Sequence, residues 1–426
     1  MRIGRLGSLL CSAVACSAVA LLAATPHLRH LADITGEAPS ALRIPLLPGS
    51  RLKLPARTSA AHPPAMLGPG RIHRGFYIAP AVMHPSHVTF VAGHHGVVSL
   101  QRVGLVAQPP RSQSFLAVAS YDSGIVLHNP QSFAPLGLLA IGGAPSDVAI
   151  GGNGEIVAGN TDGSTLTLVR RSPWRVRRIA GVPLTDEVVL TPNGTIFASL
   201  RNASDGQGML ISIAPNGQRR RIETGATAEG LAYDPARHIV YVGNVNDGTV
   251  LAVNARTLTP LRRIRAVPRV FGLALSPHGN LLYAVANQSR QQFDHRGYVV
   301  AIDLRARHPR IVARSRPMTF PVDVAVSPKG RRIFVTDEQR DIVNVLNAAT
   351  LIAVHAPLST CRIPWKPAVD ALRGRLYIPC AGADRIDVFS LRTLRRVPGA
   401  PFRTGGYPLA VAIWNAPKPL RTAHAR

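Results

Sequence analysis

The chain has 426 residues, of which 46% are hydrophobic and 17% charged, and its formal net charge at pH 7 is +27. The length allows two or three average domains, and so large a positive charge suggests an anionic partner. No aromatic residues interleave with the basic ones, so the composition excludes a nucleic acid held by base stacking. Phosphate-binding glycine loops, nucleophile elbows and haem-attachment motifs are all missing from the sequence.

The first 24 residues predict a secretion signal. Arg2 and Arg5 precede residues 6–24, which carry no charge, and Ala18 and Ala20 are among the small residues that offer cleavage sites. The alternative is an uncleaved N-terminal anchor, because this uncharged stretch nearly spans a bilayer. Either interpretation places the protein in the periplasm or outside the cell.

The region that follows has no clear periodicity. Residues 25–85 are broken by several prolines and glycines, which predicts an irregular linker or a strap on the domain behind it. Residues 88–106 have a strand–turn–strand pattern. Residues 417–426 are expected to form a flexible tail.

From about residue 114 the chain repeats a unit of roughly forty residues. Each copy has an apolar strand, a tight turn and a second apolar strand that ends in Asn or Asp. The clearest copies are residues 229–244, 271–287 and 322–337. A third strand follows in each, at residues 249–253, 298–304 and 342–346. Repeats of this length made only of strands are typical of β-propeller blades.

The repeat also resembles a known family. Ile333-Phe-Val-Thr-Asp337 and Tyr241-Val-Gly-Asn244, followed by Val345-Leu-Asn-Ala-Ala-Thr350 or Val253-Asn-Ala-Arg-Thr257, are similar to the YVTN-type β-propeller repeat. The resemblance covers roughly residues 114 to 416. It implies the fold more than an activity, because the family includes surface-layer proteins, lactonase-like enzymes and proteins of unknown role.

We therefore predict an all-β, seven-bladed propeller of four-stranded antiparallel blades within residues 86–416. The first blade, residues 115–141, lacks an inner strand, and the spare apolar strand at residues 408–414 fits that gap. Such an exchange closes the ring and leaves no open edge between the first and last blades. The alternative is eight blades, if residues 88–110 form a blade of their own.

Cys361 and Cys380 are the two cysteines outside the predicted signal. An even number in an exported chain predicts a disulfide, which would add about 3 kcal/mol of stability. The alternative is a pair of buried free thiols.

Clusters of arginine recur in the predicted outer strands of the blades. They lie at Arg175, Arg177 and Arg178, at Arg219 to Arg221, at Arg262, Arg263 and Arg265, and at Arg395 and Arg396. Charged side chains on an outer strand protect an open sheet edge from aggregation. An anionic envelope surface is the alternative explanation of these clusters.

The start of each inner strand should face the central channel. Aligned there are Ser146-Asp147, Asp186-Glu187, Glu229-Gly230, Phe271-Gly272, Val322-Asp323, Lys366-Pro367 and Leu409-Ala410. Acidic residues are concentrated here although the chain has only 22. The predicted ligand site consists of Asp147, Asp186, Glu187, Glu229, Phe271, Asp323, Trp365 and Lys366. In it, Trp365, Phe271 and Lys366 would offer an apolar platform and a cation to an organic anion.

The same ring is a candidate divalent-metal site. Its ligands would be Asp147, Glu187, Glu229 and Asp323, with the second-strand ends Asn160, Asn244, Asn287 and Asp337. Such oxygen ligands suit Ca²⁺ or another divalent cation. The arrangement is similar in position to that of gluconolactonase (regucalcin-like) propellers. Alternatively, these Asn and Asp side chains cap the turns that follow them.

Three functions follow from these patterns. The first is an exported, monomeric binding or scaffold protein with a small-molecule or protein ligand over the channel. The second is a metal-dependent lactonase-type hydrolase that uses the acidic ring. The third is an envelope-associated interaction protein that uses its arginine-rich rim.

Overall fold

The computed structural model describes residues 44–53, 65–73, 76–80, 85–94, 97–141, 143–161, 164–201, 206–287 and 297–417. The predicted signal lies outside these residues, and so does the predicted tail apart from residue 417. None of the described residues belongs to a helix long and apolar enough to cross a membrane.

Seven sheets of the described chain have four antiparallel strands, each composed of consecutive strands except for the sheet that joins the chain's ends. Five of these sheets follow one another along the chain. The first contains β10 (Pro145–Ile150), β11 (Ile156–Asn160), β12 (Thr165–Arg171) and β13 (Trp174–Ala180), and the second contains β14 (Thr185–Leu190), β15 (Ile196–Arg201), β16 (Gln207–Ile213) and β17 (Arg219–Ala226). The third contains β18 (Ala228–Asp234), β19 (Ile239–Asn244), β20 (Thr249–Asn254) and β21 (Pro260–Arg265), the fourth β22 (Val270–Leu275), β23 (Leu281–Ala286), β24 (Tyr298–Asp303) and β25 (Arg310–Arg314), and the fifth β26 (Pro321–Val326), β27 (Arg332–Asp337), β28 (Ile342–Asn347) and β29 (Leu358–Ser359).

Two further four-stranded sheets complete the set. They are β30 (Ala368–Asp370), β31 (Arg375–Cys380), β32 (Arg385–Ser390) and β33 (Phe402–Arg403), and then β34 (Pro408–Trp414) with β7 (Phe115–Ser120), β8 (Gly124–His128) and β9 (Pro135–Leu139). The strands fall where the repeat predicts them, because each apolar run is bounded by turn residues.

The seven inner strands form a closed circle. Each contacts the inner strands of two neighbouring sheets, in the order β34, β10, β14, β18, β22, β26, β30 and back to β34. Apolar side chains fill the space between neighbouring sheets; Tyr283 and Val285, for example, share a cluster with Val324 and Val335 of the next sheet. Because both faces of a sheet are covered in this way, the strands are apolar along most of their length.

The C-terminal strand completes the first sheet, as predicted. β34 pairs with β7 from Pro408 opposite Ser120 to Trp414 opposite Phe115. The indole ring of Trp414 lies 5.4 Å from the ring of Phe115, and the Arg171 guanidinium lies 4.3 Å from the indole. The chain's two ends are therefore held in one sheet.

The N-terminal strands lie outside the circle. They are β1 (Arg51–Lys53), β2 (Ala65–Leu67), β3 (Arg71–His73), β4 (Phe76–Ile78), β5 (Ser86–His94) and β6 (Val97–Leu105), and they form two three-stranded sheets. Leu46 bridges Leu138 of the outer strand β9 and Leu105 of β6. Residues 88–105 therefore extend the outer side of the closing sheet, whereas β34 and β10 contact each other directly in the circle. The region predicted as irregular contains four short strands, and the segment before them is hydrogen-bonded to β9, where the Leu47 amide donates to the Leu138 carbonyl oxygen at 2.8 Å.

Candidate functional site

A β-bulge at the start of the inner strands places the candidate residues. In β14, Thr185 pairs with Leu200 and Val188 pairs with Ala198. Two residues of β14, Asp186 and Glu187, therefore lie opposite the single residue Ser199 of β15. Register shifts occur at the same place in the inner strands β10, β18, β22, β26 and β34. A bulge removes residues from regular pairing and redirects their side chains, here into the channel.

Small hydroxyl side chains satisfy backbone carbonyls that the bulges leave unpaired. The Ser199 hydroxyl donates to the Glu229 carbonyl oxygen at 2.6 Å. The Ser146 hydroxyl lies 2.8 Å from the Thr185 carbonyl oxygen and 3.0 Å from that of Asp186. The Ser146 contacts join the inner strands β10 and β14, and the Ser199 contact joins the second strand β15 to the inner strand β18.

The bulged residues line one cavity over the channel, which we call the channel cavity. All eight residues of the predicted ligand site contribute to it, together with Ser146, Arg201, Gly272, Val322 and Leu409. The channel cavity has a volume of about 50 Å³. This is room for an ion or a small polar group rather than for a large ligand held entirely inside.

Lys366 bridges two carboxylates at the centre of this cavity. Its ammonium nitrogen lies 3.1 Å from Asp147 Oδ2 and 3.0 Å from Glu187 Oε1. Burial lowers the pKa of Lys366, but the carboxylates of Asp147, Glu187 and Asp323 outweigh it and hold that pKa above its ordinary value. The ammonium is therefore engaged, so the sequence-based suggestion that it would receive an organic anion is not supported by its contacts.

Arg201 is a second cation, and the sequence analysis missed it. Its guanidinium forms a forked pair with Asp186, whose Oδ2 accepts from Nε at 2.8 Å, and reaches Glu229 Oε1 at 3.4 Å. Leu200 occupies the strand position equivalent to Asn160 and Asn244, and Arg201 follows it. The missing Asn at this point of the repeat was the signal that could have drawn attention to it.

Burial changes the pKa values of four carboxyl groups of the channel cavity. Burial raises the pKa of Glu229 to about 7 and that of Asp323 to about 6, against the lowering effects of Arg201 and Lys366 respectively. Burial likewise raises the pKa values of Asp186 and Glu187. Asp323 Oδ1 accepts a hydrogen bond from the Val324 amide at 2.7 Å. A Cβ at Gly272 would lie 2.2 Å from that oxygen, so the neighbouring strand needs glycine there.

The second-strand Asn and Asp residues do not line the channel cavity. Asn160 donates to the hydroxyls of Thr165 and Thr167, and Asn244 donates to that of Thr249. Asp337 accepts from the amides of Thr319 and Phe320. Asn287 lies just beyond β23 and is also buried. These contacts match the alternative interpretation, in which such residues fix local turns.

The ring carboxylates do not form a tight cluster in the described residues. Across the part of the chain that the structure describes, no three ring carboxylates bring oxygens within 4.8 Å of one another; the group that meets this spacing is Cys361, Cys380 and Asp387. Calcium requires six to eight oxygen ligands converging at 2.3–2.6 Å. The Lys366 ammonium occupies the position between the carboxylates of Asp147 and Glu187.

Cys361 and Cys380 lie at disulfide distance, with their Cα atoms 5.6 Å apart. Both are buried in a cluster with Phe334 and Leu376. Thr360 and Arg396 contact the neighbouring carboxylate of Asp387 at 2.9 and 3.0 Å. The pair is thus placed to form the predicted disulfide between the beginning and the second strand of the last sheet.

Comparison with known proteins gives structural neighbours. No family model and no curated protein matches the chain. A protein of unknown function from Desulfotomaculum acetoxidans is 16% identical, with a TM-score of 0.59 over 71% of this chain and 99% of that one. A candidate 6-phosphogluconolactonase from Bacteroides fragilis is 14% identical, with a TM-score of 0.58 over 72% and 100%. The Swd1 β-propeller domain of Myceliophteria thermophila is 15% identical, with a TM-score of 0.55 over 66% and 95%.

The chain is a β-propeller. Its four-stranded antiparallel sheets are the blades that the repeat predicts, and the neighbours include lactonase-like and WD40-type propellers. At identities this low the likeness extends to the fold and not to an activity. The function of this propeller must therefore be argued from the channel cavity itself.

Proposed function

We propose that this propeller is a binding protein whose ligand is a small organic cation held over the central channel. The observation that carries the proposal is the charge of the channel cavity, where five carboxyl groups face the two cationic side chains Arg201 and Lys366. A low-dielectric cleft with an excess of one charge concentrates ligands of the opposite charge.

The arrangement around Phe271 favours an ammonium or guanidinium group. Phe271 belongs to β22, whose neighbours in the circle, β18 and β26, carry Glu229 and Asp323. Burial raises the pKa values of these two carboxyl groups, as it does those of Asp186 and Glu187, so a positive ligand would stabilise their ionised forms. An aromatic face attracts a cation as well, and the Arg269 guanidinium already lies 5.8 Å from the centre of the Phe271 ring. The combination supports a cationic head group in the cavity with the rest of the ligand outside it.

Thermal unfolding tests this proposal directly. Tetramethylammonium, ethylammonium and guanidinium are added at constant ionic strength, with sodium as the reference cation. A ligand that binds only the folded state stabilises it by about 2.7 kcal/mol at one hundred times its Kd. We expect at least one organic cation to raise Tm at pH 8. Neither EDTA nor Ca²⁺ added after EDTA has been removed should change Tm.

Two matched variants locate the effect. Glu229→Gln removes a carboxylate of the channel cavity and should abolish the rise in Tm. Glu223→Gln removes an exposed carboxylate on the outer strand β17 of the neighbouring sheet and should preserve it. Equal responses in both variants, or no response in the parent protein, would contradict the proposed site. A rise with Ca²⁺ that is lost in Glu187→Gln would instead support the predicted metal site.

A lactonase-type hydrolase is the second candidate, and one observation favours it. The pKa of Glu229, about 7, is in the range in which a carboxylate acts as a general base near neutral pH. Two neighbours from Bacteroides are described as candidate 6-phosphogluconolactonases. Hydrolysis of gluconolactone above the spontaneous rate, lost in Glu229→Gln, would support this function; spontaneous rates in both proteins would exclude it for this substrate.

We also propose that the protein acts outside the cytoplasm, in the periplasm or beyond the cell. The proposal rests on the signal-like N-terminus and is supported by the distance between Cys361 and Cys380, since stable disulfides belong to oxidising compartments.

A further inference from the structure

Large aliphatic side chains are exposed mainly on one part of the propeller's rim. Among the described residues six such side chains are exposed, and five of them are Leu261, Ile311, Val312, Ile352 and Val354. Leu261 lies on β21, and Ile311 and Val312 lie on β25. Ile352 and Val354 precede β29, in the stretch that pairs with the end of β28. All five therefore belong to the outer strands of three consecutive blades.

Two of these three segments carry arginines, and none of the three has an acidic residue. Residues 260–265 contain Arg262, Arg263 and Arg265, residues 310–314 contain Arg310 and Arg314, and residues 352–359 contain His355 but neither Asp nor Glu. One local ion pair joins Arg263 to Asp247 at 3.5 Å, and Arg314 lies over the ring of Tyr298. Arg265 and Arg310 are exposed on the strands' outer side.

The three segments are neighbours in space. Arg262 on β21 donates to the carbonyl oxygen of Arg307, just before β25, at 3.1 Å. Ala313 of β25 packs against the apolar cluster that contains Leu351, the residue before Ile352. The exposed aliphatic and arginine side chains thus lie on adjoining outer edges of three consecutive blades, which we call the arginine–aliphatic rim (residues 260–265, 310–314 and 352–359).

We propose that the arginine–aliphatic rim docks on a bilayer of anionic phospholipid. Juxtaposed cationic and aliphatic side chains match the two layers of a membrane surface, because guanidinium groups pair with phosphates while aliphatic groups enter the acyl boundary. Each cationic side chain near such a surface contributes about 1 kcal/mol. A soluble polyanion would satisfy the arginines but would leave the five aliphatic side chains in water.

A second part of the rim offers a control. Strand β17 exposes Arg219, Arg220 and Arg221 but has no large exposed aliphatic side chain. Edge protection by arginine is enough to explain the composition of this outer strand. Edge protection does not explain the exposed aliphatic residues on β21 and β25.

Co-sedimentation of the mature protein with phosphatidylglycerol–phosphatidylcholine vesicles tests the proposal, with pure phosphatidylcholine vesicles as the reference. We expect binding to the anionic vesicles that weakens with salt. The double variant Arg265→Gln/Arg310→Gln should weaken it about 25-fold, which is about fivefold for each arginine. The matched variant Arg220→Gln/Arg221→Gln on β17 should change it much less.

A separate triple variant tests the contribution of the aliphatic side chains to vesicle binding. Leu261→Ser/Ile311→Ser/Ile352→Ser should lower vesicle binding at least about tenfold while leaving retention on a heparin column unchanged. Unaltered Tm values in all variants would verify that each remains folded. The proposal would be overturned if the β17 and the β21/β25 arginine variants lost equal amounts of vesicle binding. It would also be overturned if the serine substitutions left vesicle binding unchanged, or if the protein bound heparin but not vesicles.

Discussion

Lys366 and its two carboxylate partners show how a single residue organises the channel cavity. The ammonium group balances Asp147 and Glu187, which are 2% and 12% exposed in their side chains, so neither carboxylate is left alone in a low-dielectric site. Removing one partner of a buried pair usually destabilises a protein because the other charge remains buried.

Lys366→Met should therefore lower the free energy of unfolding by about 3 kcal/mol, measured by urea denaturation at pH 7. Adding Glu187→Gln should recover part of this loss, because one of the two orphaned carboxylates becomes neutral. Lys329→Met, in the exposed β26–β27 turn, is the matched control and should have little effect. A loss in the double variant equal to the sum of the two single losses would contradict the described pairing.

At the residue scale, sequence reasoning found the cavity but not its charge balance. All the predicted ligand residues line it, because the repeat fixes the position of each inner-strand start. Arg201 was missed since its role depends on a side chain reaching Asp186 and Glu229 from another strand. The Asn and Asp residues at the second-strand ends share a sequence position with one another but make contacts within their own hairpins.

At the element scale, the bulged inner strands and the closing strand decide the architecture. A regular strand would alternate its side chains between the two faces of the blade, whereas the bulge turns two adjacent residues out of register. The repeat located these positions, but pairing partners such as Thr185 with Leu200 and Val188 with Ala198 are needed to recognise the bulge. The short strands β1 to β4 escaped prediction because they pair with one another and with β5 rather than forming a repeat.

The closing strand carries the second stability prediction. Trp414 is buried against Phe115 and beneath Arg171, at the junction of the chain's ends. Trp414→Ala should lower the free energy of unfolding by about 3–5 kcal/mol, through lost burial and a cavity in the apolar cluster between the closing sheet and the β10–β13 sheet.

The partly exposed Trp365 provides the control for that substitution. Trp365→Ala should cost clearly less stability, because its ring borders the channel cavity instead of filling the core. Comparable losses for the two tryptophans would contradict the closing role assigned to Trp414.

At the scale of the whole molecule, the propeller presents two surfaces of opposite charge. The channel cavity concentrates carboxyl groups, whereas several outer strands on the rim carry clusters of arginines. The sequence indicated both, because inner-strand starts and outer strands occupy fixed places in each repeat. It could not indicate that the exposed aliphatic residues fall on three consecutive blades, since side-chain exposure depends on packing between blades.

Processing of the N-terminus is the prediction that belongs to the whole chain. Expression with the native N-terminus should yield a mature protein that begins near residue 25, because residues 1–24 resemble a cleaved signal. Mass spectrometry of the intact purified protein measures this. A mass that still includes residues 1–24, in a membrane fraction, would favour the uncleaved anchor instead.

The pH dependence of cation binding tests the central claim most directly. The pKa values of Glu229 and Asp323 are raised to about 7 and about 6, so both groups are largely ionised at pH 8 and largely neutral at pH 5. Titration calorimetry with the organic cation that raises Tm should show affinity at least about tenfold weaker at pH 5 than at pH 8, with proton release on binding near pH 6.5. Glu229→Gln should remove most of this dependence. Affinity that is unchanged between pH 5 and pH 8, or that strengthens as the pH falls, would contradict a cation site built on these carboxylates.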